Sequence, residues 1–180
     1  MKYILLLIIL LPFSSYAQRT KSQELNYYGT SIYLKDAKLF FRKMYKSKLN
    51  EDQLGKELNR FLSSVKNFKI IDTLSDGRLT GELSDHYVKV KEGAKLEGIT
   101  STLKAPMHAY VSVEVKNKSY MVIVSGISFK IRDQYAPVEI PMAIYKRNEI
   151  RDIPTVKETA LYLDSDLMSI FDINSTESSK

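Results

Sequence analysis

Between Tyr110 and Ile131 the chain alternates apolar and polar residues with a period of two, which a helix cannot use and a half-buried strand requires. Val111, Val113 and Val115 fall on one side of Tyr110 to Lys116, opposite Ser112, Glu114 and Lys116. Asn117-Lys118 suits a tight turn, because Asn tolerates positive φ. The chain then returns from Tyr120 to Ile131, with Met121, Ile123, Ile127, Phe129 and Ile131 predicted on one face and Gly126 predicted to mark a bulge. A hairpin of this kind has an oily face that other elements must cover.

The flanking segments supply both partners and cover. Phe68 to Leu74 and Arg78 to Leu83 read as strands joined by Ser75-Asp76-Gly77, since Asp-Gly between such runs signals a hairpin, and the second strand points on towards Tyr87, Val88 and Val90. Asn26 to Leu34, rich in Tyr, Ile and Thr, reads as a first strand. A helix is predicted after it, capped by Asp36, with Ala37, Phe40, Phe41, Met44 and Tyr45 on its apolar face and Lys38, Arg42 and Lys46 opposite. Asn50 and Gln53 form a capping-box pair at the start of a second helix, lined by Leu54, Leu58, Phe61, Leu62 and Val65. Beyond Arg132, Pro137, Pro141 and Pro154 break the pattern into an extended arm. A short helix capped by Asp164 or Ser165 then aligns Leu163, Leu167, Ile170 and Phe171. Strand, helical segment, four strands and a terminal helix make an α+β fold: an antiparallel sheet with the helices packed on one face.

The run Ile70 to Glu82, followed by Tyr110 to Lys116 and Tyr120 to Phe129, resembles a family of exported bacterial domains of unknown function with a TBP-like fold. The resemblance spans about Ser31 to Ile131. It implies the fold and carries no catalytic residue, and a TBP-like shape does not imply DNA binding.

The N-terminus has the three parts of a secretory leader: Lys2, an apolar run from Tyr3 to Phe13, and small residues at Ser15 and Ala17. The run is shorter than the roughly 20 residues a bilayer-spanning helix needs, so cleavage after Ala17 is expected, with no transmembrane anchor left behind. The predicted organisation is a signal peptide at 1–17, a TBP-like domain at 18–131, an arm with a short helix packed on the same domain at 132–173, and a disordered polar tail at 174–180. Cysteine is absent, so no disulfide and no lipidated Cys is available, which suits a bacterial periplasm or exterior better than a eukaryotic secretory route. The formal charge is +6, and loss of Lys2 with the leader removes one unit. Lys35, Lys38, Arg42 and Lys46 crowd one segment as a basic surface; for an exported chain the available polyanions are glycan, lipopolysaccharide or membrane rather than nucleic acid.

Reactive chemistry is sparse. Asp72, Asp76 and Gly77 match three positions of a calcium loop, but Leu74 and Leu83 stand where oxygen ligands are needed. The two histidines, His86 and His108, would have to converge from distant strands to hold zinc, so neither metal nor cofactor is expected. No Ser sits in a nucleophile elbow, as Ser125-Gly126-Ile127-Ser128 lacks the leading glycine. Tyrosines fall on the predicted strands, and Tyr87, Tyr110 and Tyr120 are the candidate ligand-binding rings, each offering a flat amphipathic surface at little entropic cost. The expected function is a soluble, exported, non-enzymatic binding domain for an envelope protein or glycan. The alternative is an envelope hydrolase using carboxylates among Glu82, Asp85, Glu92 and Glu97.

Overall fold

A computed structural model describes residues 24–27, 29–35, 38–73, 77–131, 134–137, 144–145, 149–150 and 153–174. The leader 1–17, the Asp36 cap and the 175–180 segment lie outside them. Strands β1 (Leu25–Asn26), β2 (Ile32–Lys35), β3 (Lys38–Lys46), β4 (Phe68–Thr73), β5 (Arg78–His86), β6 (Met107–Lys116), β7 (Ser119–Ile131) and β8 (Gln134–Pro137) form one antiparallel sheet in the order β1-β2-β3-β7-β6-β5-β4, with β8 beside the far end of β7. Strands β9 (Ile144–Tyr145) and β10 (Glu149–Ile150) pair separately. Two helices, α1 (Glu51–Ser64) and α2 (Pro154–Phe171), pack on one face, and a 3-10 turn spans Gly98–Lys104.

The register explains the one-sided core. Phe41 lies opposite Val124, which lies opposite Val111, which lies opposite Gly81; Leu79, Val113 and Val122 make the next row. These apolar side chains are buried under Leu54, Leu58 and Leu62 of α1 and Val156, Leu163, Leu167 and Phe171 of α2. Gly81 has no room for a side chain, since a Cβ there would lie 2.4 Å from Phe68 Cζ and 2.7 Å from the Lys69 carbonyl. The capping box forms as the spacing predicts, with Gln53 N donating to Asn50 Oδ1 at 3.0 Å and Asn50 N to Gln53 Oε1 at 3.4 Å.

The chain departs from the sequence expectation in five places. The segment predicted as the first helix is β3, paired with β2 on one side and β7 on the other. Leu39, Phe41 and Tyr45 face the core while Phe40 and Met44 face away. Apolar residues four apart share a side in either conformation, and two flanking ladders decide for the strand. The single strand expected at Asn26 to Leu34 is two strands, β1 and β2, turning at Gly29 (φ 77°). In β7 the bulge at Gly126 (φ 62°) shifts the phase, so Tyr120, Val122 and Val124 are buried before it and Ile127 and Phe129 after it. Met121 and Ile123 therefore lie on the opposite face from the one expected. In the β6–β7 turn the positive φ sits at Lys118 (60°) rather than at Asn117. Helix α2 begins at Pro154, whose fixed φ suits a first helical position, and runs through Asp164 and Ser165 instead of starting there.

Tyrosines tie the sheet to the end of α2. Tyr120 and Tyr45 stack with centroids 4.9 Å apart, and the Tyr120 hydroxyl donates to Phe171 O at 2.7 Å and accepts from Ile173 N at 3.1 Å. Tyr45 OH donates to Met168 O at 3.3 Å. Tyr120→Phe leaves a buried carbonyl and amide without their partner and is expected to cost about 2 kcal/mol in urea denaturation; an unchanged midpoint would show that the tie contributes nothing. Burial pushes both phenols above their ordinary value, helped for Tyr45 by the Tyr120, Asp172 and Asp164 charges. The unfolded chain then sheds these protons first as pH rises past ~10, so stability falls above that pH, and Tyr120→Phe, with one fewer such group, has the shallower slope when unfolding is followed against pH.

Candidate functional site

The face of the sheet away from the helices has no covering layer among the described residues. The register places Arg42, Ile123, Ser112 and Thr80 in one row across it, and Met44, Met121, Glu114 and Arg78 in the next. Its most distinctive part lies around the first residues of β6. Tyr110 is 55% exposed, pairs with Ser125, and lays its ring over Gly126, where a Cβ would come within 2.9 Å of Tyr110 Cδ2. The missing side chain gives the ring its bed, and its outer surface stays in solvent.

Around this ring the fold gathers a neighbour on the same strand and residues from two further strands, β5 and β8. His108, two positions along β6, meets Tyr110 edge-on at 5.1 Å and lies 5.5 Å from the Tyr135 ring of β8. Its Nε2 is 3.7 Å from Glu82 Oε2 on β5. The Tyr135 hydroxyl donates to Asp85 Oδ1 at 2.7 Å, and that carboxylate raises the Tyr135 pKa. Tyr87, 60% exposed just past the end of β5, is close enough to add to the same shift. Of the three candidate rings, the structure leaves Tyr110 exposed on the open sheet face, sets Tyr87 exposed beyond the end of β5 at the groove between α1 and α2, and sends Tyr120 into the core. Sequence reasoning missed Tyr135 and His108. Tyr135 sits in a four-residue strand ending in Pro137, too short for a periodic signal, and His108 gains meaning only from neighbours on other strands.

The basic surface is also on this face, though by a different periodicity. Lys38, Arg42 and Lys46 occupy every fourth position of β3, which keeps them on one side of the strand, and Lys35 lies opposite Lys38 on β2. Arg42 stacks over the Tyr33 ring at 4.8 Å and meets Glu24 Oε2 at 2.9 Å, while Lys35 reaches the same carboxylate at 3.5 Å. Glu24 thus offsets two of the four cations, and Lys38 and Lys46 are exposed.

The histidines do not converge. His86 turns to the helical side, with Nε2 2.6 Å from Asp166 Oδ2, a buried carboxylate whose other oxygen accepts from Lys89 N at 3.2 Å. A groove of about 510 Å³ between α1, α2 and the end of β5 runs past Phe61, Val65, His86, Tyr87 and Ile170. The buried acid serves to pin the segment after β5 to α2. Among the described residues no group of three His, Asp or Glu side chains could hold a metal ion. Asp76 of the calcium-like loop lies outside them. Of the carboxylates considered for hydrolysis, Glu82 borders His108 and Asp85 is held by Tyr135.

No protein-family model matches the chain, and no curated protein matches it in sequence. Solved structures match it in shape. A TBP-like protein from Parabacteroides distasonis ATCC 8503 superposes with a TM-score of 0.51 at 10% identity, covering 82% of this chain and 97% of its own. A DUF4468 family protein from Bacteroides ovatus ATCC 8483 superposes with a TM-score of 0.50 at 18% identity, covering 78% of this chain and 90% of its own. At these identities the likeness concerns architecture, and the architecture is the TBP-like α+β fold: an antiparallel sheet with helices on one face.

Proposed function

We propose that this protein is an exported, non-enzymatic binding domain that meets an envelope protein or glycan through the patch of Tyr87, Tyr110, Tyr135 and His108. The observation that carries the reading is the pair of exposed rings, Tyr110 and Tyr135, gathered about His108 on a sheet face left without a covering layer among the described residues. Exposed rings in a solvent-facing group invite burial against a partner, and tyrosine contributes contact area without losing many rotamers. Glu82, Asp85 and His108 at the margin supply hydrogen-bonding groups that give such a contact direction. Export rests on the Lys2 to Ala17 leader, and among the described residues no helix is long and apolar enough to cross a membrane. The hydrolase alternative gains nothing from the geometry, because its two best-placed carboxylates are engaged by a histidine and a tyrosine hydroxyl.

A photocrosslinking residue placed at Tyr110 in intact cells is expected to capture a discrete partner, and the captured chain is expected to begin at Gln18 by mass spectrometry. Tyr110→Ala with Tyr135→Ala should weaken binding of that partner about tenfold, since each ring contributes on the order of 0.5–1.5 kcal/mol beyond its buried area. Diffuse capture, or affinity unchanged in the double variant, would defeat the reading; a chain retaining Met1 to Ala17 would defeat the export half of it.

A further inference from the structure

Four lysines meet at the other end of the sheet. The β6–β7 turn carries Lys116 and Lys118, and the chain leaving β3 carries Lys46 and Lys48. Topology brings these two segments together: Lys46 and Lys116 both lie opposite Ser119, from either side. Backbone bonds lock the segments, Ser47 N donating to Lys118 O at 2.9 Å and Lys118 N to Leu49 O at 3.2 Å. All four lysines are exposed, and among the described residues none of them enters an ion pair. Glu114 on β6 and Glu51, whose carboxylate lies near Gly77, border the group and leave it in positive excess. Next to it stands Met44, 59% exposed, with Met121 directly opposite on β7.

No such cluster of cations lies along the helices: Asp52 and Glu57 on α1 stand with Lys56 and Arg60, and Glu158 and Asp164 on α2 with Lys157. A negatively charged plane therefore attracts the lysine end. Lysines are flexible point charges suited to many dispersed phosphates, where a single bound phosphate calls for a fixed Arg fork. The exposed Met44 side chain beside them can enter the apolar boundary beneath the headgroups.

We infer that the lysine end, Lys46, Lys48, Lys116 and Lys118 with Met44, is a docking surface for an anionic lipid bilayer. It stands apart from the aromatic patch, because the six residues from Tyr110 to Lys116 along β6 span about 20 Å. Docking at the lysine end leaves Tyr87, Tyr110 and Tyr135 directed away from the lipid.

Co-sedimentation with phosphatidylglycerol-rich vesicles, against vesicles of phosphatidylcholine alone, tests this. The chain should bind the anionic vesicles and release as salt rises. Changing all four lysines to Gln should lower partitioning several hundredfold, about fivefold for each lysine near an anionic surface. Exchange of the exposed Lys91 and Lys95 for Gln should leave it within about twofold, since those residues lie outside the proposed surface. Met44→Ser should weaken the binding that persists at higher salt. Failure to bind anionic vesicles, equal binding by the four-lysine variant, or tighter binding to a soluble anionic polysaccharide than to vesicles would each overturn the assignment. Urea denaturation of each variant confirms that it is folded. Failure here leaves the aromatic patch untouched, as that patch is read by partner capture.

Discussion

One asymmetry governs this molecule: the central strands β3, β7, β6 and β5 bury one face completely and leave the other without a covering layer among the described residues. Rows such as Phe41, Val124 and Val111 make the buried side continuous from strand to strand, and the helices close over it. Without disulfides the closure depends on packing and on polar ties that cross layers. The Tyr120 hydroxyl is such a tie, satisfying a carbonyl and an amide at the C-terminal end of α2, and Asp164 Oδ1 is another, accepting from Ser31 N at 2.8 Å where β2 begins. Polar atoms inside the core are thus spent on docking α2, and the groups left for recognition are those on the other side.

Much of the fold was legible because its strongest signals are local. The β6–β7 hairpin, the Asp-Gly hairpin joining β4 and β5, and the Asn50–Gln53 box each depend on residues within a few positions of one another. The illegible parts depend on pairing or phase. Residues 38, 42 and 46 fall on one side of a helix and of a strand alike, so spacing alone could not separate the two, and only the ladders to β2 and β7 could. The bulge was expected at Gly126, yet its effect on phase, which moves Met121 and Ile123 out and Tyr120 in, follows from the pairing of Tyr110 with Ser125 and of His108 with Ser128.

The same division holds for the site. Tyr87 and Tyr110 were legible as rings on or near strands, whereas Tyr120, equally placed by type and spacing, became a structural residue because one extra residue downstream set its face. Tyr135 and His108 had no local signature at all. The lysine end shows the point most clearly. A charge run drew attention to 35–46, but Lys116 and Lys118 enter only because two remote segments exchange backbone hydrogen bonds, while Glu24 draws Arg42 and Lys35 into ion pairs and so reduces the run that was visible.

An open sheet face with one character at each end can do more than a uniform one. A uniformly cationic face would hold any polyanion in many orientations, and a uniformly aromatic one would promote self-association. Here the ends are separated by about six residues of extended chain, roughly 20 Å, which exceeds the Debye length of about 8 Å at physiological salt. Charge at the lysine end is therefore screened from the aromatic end, and a partner on the rings need not compete with phosphates on the lysines. Rigid strands connect the two, so fixing one end fixes the direction in which the other points.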